Sequence, residues 1–381
     1  MPAPHRSFKP LRGAVVGYGF ISSKGHVPAY VDRLRSRGDV EIVAIADICP
    51  ARRAQARKDL RGVQVFSDCE ALLDAIGDEL DFVDICTPPS DHAGIAHAAL
   101  DRGLHVLCEK PLTPTLSEAA SLLEHAARAR RVIFPCHNYK HAPVVKAIRE
   151  ILESGRIGQV RSITLNTFRN THAKGAAEWR PDWRRERKYS GGGIAMDHGS
   201  HTFYLAFEWM GGYPTAVSAK MATQSEAYDT EDNFSAVLSF PSGLAHAQLT
   251  WTAGVRKVIY TLQGEHGAIT VDDDDLQLAL ASSANGSGKG PTTWRVERKS
   301  IASHWMDASH IHWFNSLFDD FKSAIDAGAF VGKEAREAYF CIQVITHAYR
   351  SAAQECREVP LSTEIGWAER WFPVNRVPIG R

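Results

Sequence analysis

The sequence predicts an α/β protein in which a doubly wound parallel sheet is followed by an α+β domain with a large, mostly antiparallel, open sheet. Two observations support this fold class. Up to residue 138, short apolar runs alternate with stretches of helical spacing, which is typical of a parallel sheet covered by helices. After that point, longer runs of alternating apolar and polar residues follow one another, as in antiparallel strands. We therefore expect one domain over residues 10–138 and a second over residues 139–381.

The composition excludes several classes of protein. The 381 residues are 44% hydrophobic and 23% charged, as in ordinary globular proteins. Lys plus Arg equals Asp plus Glu, so no net field attracts nucleic acid or an anionic membrane. No apolar run is long enough to span a bilayer, and seven cysteines without a Cys-x-x-Cys pair argue against a disulfide framework. We expect a cytoplasmic protein that binds neither nucleic acid nor membrane.

The first element is a buried strand over Leu11 to Val16, and a glycine turn follows it. The turn has the sequence Gly-Tyr-Gly-Phe-Ile-Ser over residues 17–22 and leads into a segment of helical spacing. Glycine lets the backbone approach a pyrophosphate closely, and a helix N-terminus offers unpaired N–H groups. This order predicts a Rossmann-type dinucleotide site, although Ser22 replaces the usual third glycine. The predicted cofactor contacts in the turn are Gly17, Gly19, Phe20 and Ile21.

A second apolar run, Val40 to Ala46, ends at Asp47. A carboxylate at the end of the second strand can accept hydrogen bonds from the adenosine ribose hydroxyls, and it would repel a 2′-phosphate. Asp47 therefore favours NAD over NADP. Two alternatives remain open. Arg52 and Arg53 could bind such a phosphate, and Asp47 could instead cap the following helix.

The next two strands are short. Val63 to Phe66 precedes a helix over Asp68 to Ile76, and Phe82 to Cys86 leads into Thr-Pro-Pro-Ser-Asp-His at residues 87–92. The two prolines make a rigid turn that lacks two backbone donors, before a helix over Ile95 to Asp101. Such a turn can support the ribose and nicotinamide side of the cofactor. The cofactor contacts predicted here are Thr87, Pro88, Pro89 and His92.

The fifth strand, Leu104 to Leu107, ends in Cys-Glu-Lys-Pro at residues 108–111. A lysine at a strand end can hold its amine at a reaction centre, although it could also be merely solvated. A helix over Ser117 to Arg128 and a strand over Val132 to Cys136 complete the alternation. Because the carboxyl ends of parallel strands share the edge where ligands bind, these strand ends predict one site. Its further cofactor contacts are Glu109, Lys110 and Asn138.

The second half begins with a helix over Pro143 to Leu152 and continues with strands. We predict strands over residues 160–168, 216–221, 233–240, 244–251 and 258–263. A loop rich in Trp and Arg leads to three glycines at residues 191–193 and then to a helix from Ile194 to Met210. Helices over residues 309–327 and 333–356 follow.

Asp197 and His201 are four residues apart on the helix after the three glycines, so we expect them on one face. Histidine exchanges a proton near neutral pH, and a carboxylate can orient it or the substrate. The two could instead form a surface pair, or a metal site together with His198. No further ligands follow at a convincing spacing, so we expect no metal.

These motifs together resemble those of the Gfo/Idh/MocA family, named after glucose–fructose oxidoreductase, inositol dehydrogenase and rhizopine catabolism. The resemblance covers residues 13–356, and Ser22 is its main departure. It is carried by Gly17-Tyr18-Gly19, Ala46-Asp47, Thr87 to His92, Glu109-Lys110-Pro111, Gly155 to Gly158, and Gly191-Gly192-Gly193 with Asp197 and His201.

The resemblance implies an NAD(P)-dependent dehydrogenase that transfers a hydride between nicotinamide and a secondary alcohol or ketone of a sugar, cyclitol or sugar derivative. It implies that Lys110 bonds the reacting oxygen, that His201 is the general acid/base, and that Asp197 assists. It also implies a homodimer or homotetramer. Oxidation of an alcohol requires that its hydroxyl proton leave, so a base beside a cation agrees with this chemistry.

Two other functions use the same residues. A redox-assisted lyase or glycoside hydrolase would hold NAD tightly and oxidise its substrate only transiently. A sugar or nucleotide sensor would bind its ligand without turnover. The presence of both Lys110 and His201 argues against the sensor.

The predicted substrate contacts are Tyr139, Trp183, Arg184, Arg256 and Lys257. The loop before the three glycines carries Arg180, Arg184, Arg185 and Lys188, and the resemblance implies that Arg256 and Lys257 lie near the same pocket. Arginine pairs bidentately with carboxylate or phosphate, so this basic cluster could bind an anionic group of the substrate. The same charges could instead be solvated in a loop or meet acidic residues across a subunit interface.

Overall fold

The computed structural model describes residues 9–283, 292–303, 305 and 309–366. The parts of the expected second domain at residues 284–291, 304, 306–308 and 367–381 lie outside the described residues. In the described ranges, no helix combines the length and the apolar character needed to cross a membrane.

The first six strands form one parallel sheet, sheet A, in the order β3-β2-β1-β4-β5-β6. They are β1 Leu11–Val16, β2 Val40–Ala46, β3 Gln64–Phe66, β4 Phe82–Ile85, β5 His105–Cys108 and β6 Ile133–Pro135. The central strands are buried almost throughout, because helices cover both faces. Strand β1 pairs with both β2 and β4, so the strand order reverses beside it and a crevice opens at the carboxyl ends. The predicted doubly wound sheet is confirmed.

Five helices connect these strands. They are α1 Val27–Ser36, α2 Pro50–Asp59, α3 Cys69–Ile76, α4 Pro89–Asp101 and α5 Leu116–Ala129. Thr115 and Glu118 form a capping box that fixes the start of α5. The helix expected from Ile95 begins at Pro89 instead, because proline suits the first helical turn, where an N–H has no partner. The rigid turn before this helix is therefore shorter than the sequence suggested.

The second sheet, sheet B, has nine strands in the order β14-β13-β12-β11-β7-β10-β9-β8-β15. They are β7 Val160–Phe168, β8 Ala216–Ala222, β9 Asn233–Phe240, β10 Gly243–Thr250, β11 Lys257–Gly264, β12 Gly267–Asp272, β13 Asp275–Ser283, β14 Thr292–Ser300 and β15 Val359–Pro360. The first five were predicted and the last four were not. Only β7 and β10 pair in parallel within the described sheet, so it is mostly antiparallel, as expected.

The helices of the second half include one correction. They are α6 Pro143–Glu153, α7 Arg187–Ser190, α8 Ile194–Asp197, α9 Gly199–Met210, α10 Ile311–Asp326 and α11 Lys333–Ala353. The single helix predicted from Ile194 to Met210 is interrupted at His198, which separates α8 from α9. At this break the Lys110 amine donates to the backbone carbonyl of Asp197 and so competes with the helical hydrogen-bond ladder for it.

Helix α10 packs on sheet A although it follows sheet B in the chain. The ring centroids of Phe318 and Phe321 each lie 5.6 Å from the ring centroid of Phe82. The ring centroid of Phe318 also lies 5.3 Å from that of Tyr30. These side chains belong to one core cluster with strands β1 and β4. The predicted domain boundary between residues 138 and 139 remains a prediction. The core around sheet A includes α10, which lies after that boundary in the chain.

Replacing Phe318 by Ala should lower the free energy of unfolding by about 3–5 kcal/mol, because the ring is buried and the core cannot close around the cavity. Urea denaturation followed by circular dichroism measures the change. Trp294, which is 63% exposed on β14, provides the control, and its replacement by Ala should change stability by at most ~0.5 kcal/mol. Equal small effects of the two substitutions would contradict the packing of α10 on sheet A.

Candidate active site

Two cavities meet at the carboxyl edge of sheet A. The larger has a volume of ≈ 630 Å³ and the smaller a volume of ≈ 410 Å³. They share a boundary, so they form one continuous cleft, and sheet B provides part of the far wall of the smaller cavity. The shared residues are Phe20, Ile21, Cys86, Thr87, Trp183 and Arg184.

The glycine turn lines the larger cavity. Gly17 has φ +91°, and a Cβ there would lie 2.9 Å from the backbone of Cys86 and Thr87, so only glycine fits. A Cβ on Gly19 would meet nothing within 4 Å, which leaves the backbone open to a ligand. Ser22, in the place of the third glycine, is fully buried in the helical turn Ser22–His26. The turn therefore retains the close approach that a pyrophosphate requires.

Asp47 lies on the same cavity and is held by backbone amides. One carboxylate oxygen accepts the Tyr18 N–H and the other accepts the Cys49 N–H, both at 2.7 Å. Burial raises the pKa of Asp47, and the two amides oppose this rise. The carboxylate can accept ribose hydroxyls through its remaining lone pairs.

The two arginines near Asp47 donate hydrogen bonds to backbone carbonyls. Arg52 donates to the Tyr18 carbonyl at 2.7 Å, and Arg53 donates to the Asp47 carbonyl at 2.7 Å. Arg52 lines the larger cavity and Arg53 does not, and each guanidinium has further N–H donors beyond these bonds. The Asp47 carboxylate on this cavity favours a ribose hydroxyl, and the residues present fit a dinucleotide.

Most predicted cofactor contacts line the cleft. Those on the larger cavity are Gly17, Gly19, Phe20, Ile21, Asp47, Thr87 and Pro88. Those on the smaller cavity are Pro89, Glu109, Lys110 and Asn138. Lys110 thus lines the smaller cavity and not the larger one.

His92 requires a correction, because its ring lines neither cavity. The side chain is fully buried, and its nitrogens lie 2.9 Å from the Pro111 carbonyl and 2.8 Å from the Thr87 carbonyl. Burial lowers the pKa of His92. The ring therefore connects the Thr87 turn to the Glu-Lys-Pro segment and lies outside both cavities.

Behind Lys110 lies a buried charged cluster that the sequence did not reveal. His26 Nδ1 lies 2.8 Å from an Asp84 oxygen, and His26 Nε2 lies 2.9 Å from a Glu109 oxygen. Burial alone would lower the pKa of His26, but the Asp84 charge and hydrogen bond outweigh it and raise the pKa well above its ordinary value. A histidine between two carboxylates is therefore a cation. The other Glu109 oxygen accepts the Lys110 N–H at 3.1 Å.

Lys110 and Asp197 form an ion pair across the two halves of the chain. The Lys110 Nζ lies 2.8 Å from both the side-chain oxygen and the backbone carbonyl of Asp197. His198 Nδ1 lies 3.1 Å from the second carboxylate oxygen, and Arg184 Nε lies 3.5 Å from the first. Burial opposes ionisation of Asp197, but the charge of Lys110, with His198 and Arg184, holds its pKa well below the ordinary value. Asp197 is therefore an anion.

His201 lines the smaller cavity, but its hydrogen-bond partner differs from the expected one. Its Nδ1 lies 2.7 Å from the Tyr204 hydroxyl, and its ring stacks on Tyr139 at 3.9 Å between centroids. Burial lowers the pKa of His201 well below its ordinary value, and the nearby Lys110 charge adds to this effect. The ring is thus neutral, and Nε2 is the nitrogen left to exchange a proton with a ligand. Asp197 acts on this ring through charge and not through a hydrogen bond.

Four of the five residues predicted to contact the substrate line the smaller cavity, and the contact itself remains a prediction. Tyr139, Trp183, Arg184 and Arg256 line the smaller cavity. Lys257 does not: its amine pairs with Asp272 at 2.5 Å and Asp273 at 3.5 Å. Successive strand residues point to opposite faces, so Arg256 at the cavity directs Lys257 away from it.

Sequence reasoning also missed residues on the sheet B side of the smaller cavity. Arg169 follows β7 directly, and Trp305 and His310 lie before α10. Their place depends on which strands pair and in what register. The sequence offers no local signal for that register.

Two family models match this chain. The oxidoreductase family with an NAD-binding Rossmann fold matches residues 11–137, and the GFO/IDH/MocA C-terminal domain matches residues 145–270. Together the matches cover more than half of the chain, in the order of its two sheets. The chain therefore belongs to the Gfo/Idh/MocA family of oxidoreductases, and its first domain is an NAD-binding domain.

Curated relatives are dehydrogenases and oxidoreductases. An uncharacterised oxidoreductase of Schizosaccharomyces pombe is 31% identical over 240 residues, which cover 61% of this chain and 61% of that protein. The D-glucoside 3-dehydrogenase of Escherichia coli is 28% identical over 251 residues, which cover 61% of this chain and 68% of that protein. The match thus spans less than two thirds of the first relative.

Solved structures support the fold. An oxidoreductase domain protein from Kribbella flavida has a TM-score of 0.77 at 22% identity, covering 93% of this chain and 100% of that one. Levoglucosan dehydrogenase in complex with NADH and L-sorbose has a TM-score of 0.76 at 23% identity, with the same coverage. The likeness extends over both sheets.

Acidification should destabilise the protein below pH ~6.5, the ordinary pKa of histidine. Burial lowers the pKa of His92, His198 and His201, so the unfolded chain binds protons that the folded chain does not. His26, with its raised pKa, acts in the opposite sense, but it is one described histidine against eight whose pKa is lowered, these three and five others. Urea midpoints measured from pH 7 to pH 5 test this.

In the same series, His201→Gln removes one of these groups and should make the pH dependence shallower. Stability that rises on acidification would contradict the assignment of neutral buried histidines. If the urea midpoint of His201→Gln changed with pH as steeply as that of the wild type, the lowered pKa of His201 itself would be contradicted.

Proposed function

We propose that this protein is an NAD-dependent dehydrogenase that transfers a hydride between nicotinamide and a secondary alcohol or ketone of a sugar, cyclitol or sugar derivative. One observation supports this most directly. Lys110 and His201 line the same small cavity, which is continuous with the cleft of the NAD-binding domain. A proton-transfer group and a donor for the reacting oxygen thus meet beside the cofactor.

Bound NAD supplies the hydride chemistry. In the proposed reaction Lys110 orients the reacting oxygen. Two of the three N–H donors of its amine are directed to Asp197, which leaves the third for a ligand. A positive donor at this oxygen stabilises the alkoxide that forms as hydride leaves.

His201 exchanges the proton. The Tyr204 hydroxyl accepts the backbone N–H of Tyr139 at 3.2 Å and can either accept from or donate to His201 Nδ1. When Nδ1 donates, Nε2 is free to accept the proton of an alcohol. When the hydroxyl donates, Nε2 carries a proton that it can give to the oxygen of a ketone. The same contact therefore serves oxidation and reduction.

The relatives support a carbohydrate substrate. The E. coli protein is named a D-glucoside 3-dehydrogenase, and a relative from Pseudarthrobacter phenanthrenivorans, 27% identical over 273 residues, is named levoglucosan dehydrogenase. We further propose a cytoplasmic homodimer or homotetramer, which light scattering after gel filtration would test.

The protein should bind NADH more tightly than NADPH, because the Asp47 carboxylate lines the larger cavity, where it can accept ribose hydroxyls and would repel a 2′-phosphate. Calorimetry with both cofactors measures the preference. Asp47→Asn should reduce it at least about tenfold, since the repulsion is lost. The matched control is Asp74→Asn, whose carboxylate pairs with Arg102 on the far side of the domain. A preference for NADPH in the wild type would contradict the assignment.

Lys110→Ala and His201→Ala should each lower turnover by at least about a hundredfold, the low end of acid–base contributions. The substrate would come from a thermal-shift screen of sugars and cyclitols with NAD, and turnover would be followed by NADH absorbance. The matched controls are Lys257→Ala and His246→Ala, which lie outside the cavity. Near-normal turnover in either test variant would refute the proposed roles. Turnover without net NADH formation would favour the lyase or hydrolase.

A further inference from the structure

Two arginines face each other across the strands at the edge of the smaller cavity. Phe168, the last residue of β7, pairs with Lys257, the first residue of β11. The residues one step beyond this pair are Arg169 and Arg256, so antiparallel register places them opposite one another. Both line the smaller cavity.

This arrangement is unfavourable without a compensating charge. Like charges directly opposite on neighbouring strands repel, and burial strengthens the repulsion. Arg169 is only 7% exposed. Burial lowers the pKa of Arg256, and the charge of Arg169 lowers it further.

The hydrogen bonds of Arg169 do not supply that charge. Its Nη1 donates to the backbone carbonyls of Phe168, at 2.9 Å, and Lys257, at 3.4 Å. Its Nη2 is buried and has no hydrogen-bond partner among the described residues. A buried donor of a charged group left without a partner is costly.

Arg185 shows how the charge of a buried arginine is otherwise neutralised in this protein. Its guanidinium lies 3.3 Å from the Asp232 carboxylate, and both side chains are buried. Arg169 has no such carboxylate in the described part of the chain.

The acidic residues that line the smaller cavity are already paired. The Asp197 carboxylate lies against Lys110, His198 and Arg184. The Glu109 carboxylate lies against His26. Neither of these two carboxylates is available to neutralise Arg169, so among the described residues the guanidinium keeps a buried, unpaired N–H donor that an anionic ligand can accept from.

We propose that the smaller cavity binds an anionic group of the substrate, a carboxylate or a phosphate, with Arg169 as its principal ligand and Arg256 opposite. This inference rests on the proposed function and narrows it to an acidic sugar or cyclitol. The cavity volume of ≈ 410 Å³ accommodates a small-molecule ligand of this kind. The anion lies at the sheet B wall while the reacting oxygen meets Lys110, so the substrate is held at two points.

The test compares ligands that differ at one position. The NADH-loaded protein is titrated calorimetrically with D-glucose, D-glucuronate and D-glucose 6-phosphate, and with the three corresponding galactose derivatives. Sulfate serves as a probe that carries charge without a sugar ring. We expect a charged ligand to bind at least about tenfold more tightly than its neutral parent. This factor corresponds to the net gain from one hydrogen bond to a charged group. Comparison of D-glucuronate with D-glucose 6-phosphate shows whether the site prefers a carboxylate or a phosphate.

Arg169→Gln should remove this preference while leaving NADH affinity unchanged, and Arg169→Lys should retain part of it. Arg180→Gln is the control, because Arg180 is exposed, pairs with Glu186 at 3.3 Å and lies outside both cavities. A wild-type protein that binds neither sulfate nor any charged sugar more tightly than the neutral parents overturns the inference, whether or not the variants fold. A preference that survives in a folded Arg169→Gln also overturns it.

Failure of the dehydrogenase proposal has a different signature. Anion binding is measured without turnover, so Arg169-dependent binding with no NADH formation would support the anion site and refute the reaction. NADH formation from neutral sugars without any preference for the charged forms would support the dehydrogenase reaction and refute the anion site.

Discussion

The ion pair between Lys110 and Asp197 is the contact on which the site depends. Lys110 follows β5 of sheet A, and Asp197 ends α8 beside sheet B. Their side chains are only 14% and 13% exposed, and the nitrogen–oxygen distance is 2.8 Å. A buried pair is stable only when both partners are present in good geometry. The ion pair therefore connects the two halves of the chain at the atoms proposed to carry out the reaction.

The cluster behind this pair explains why Lys110 holds its place. Asp84 and Glu109 are both buried, and two buried carboxylates require a cation between them. His26 supplies it and also connects the helical turn after the glycines to β4 and to the segment after β5. The helical turn after the glycines and the Lys110 segment thus share one buried charged network.

Local features of the site were predictable and non-local ones were not. The glycine turn, Asp47 and Lys110 follow apolar strands directly, so their place at one edge of a parallel sheet follows from strand order alone. Arg169 and Lys257 depend on the register between β7 and β11, which 88 residues of chain separate, and so one was missed and the other wrongly placed. The break at His198 and the enclosure of His92 depend on contacts with the Glu-Lys-Pro segment that only the folded chain makes.

The packing of α10 on sheet A has a consequence for how the chain acquires its structure. Phe82 and Tyr30 lie in the first third of the sequence, but the rings that cover them come from α10. The apolar face of the cofactor domain therefore stays open during synthesis until most of the chain has emerged. Contacts of such large sequence separation slow folding. A cofactor domain transplanted from this protein would have to carry α10 with it.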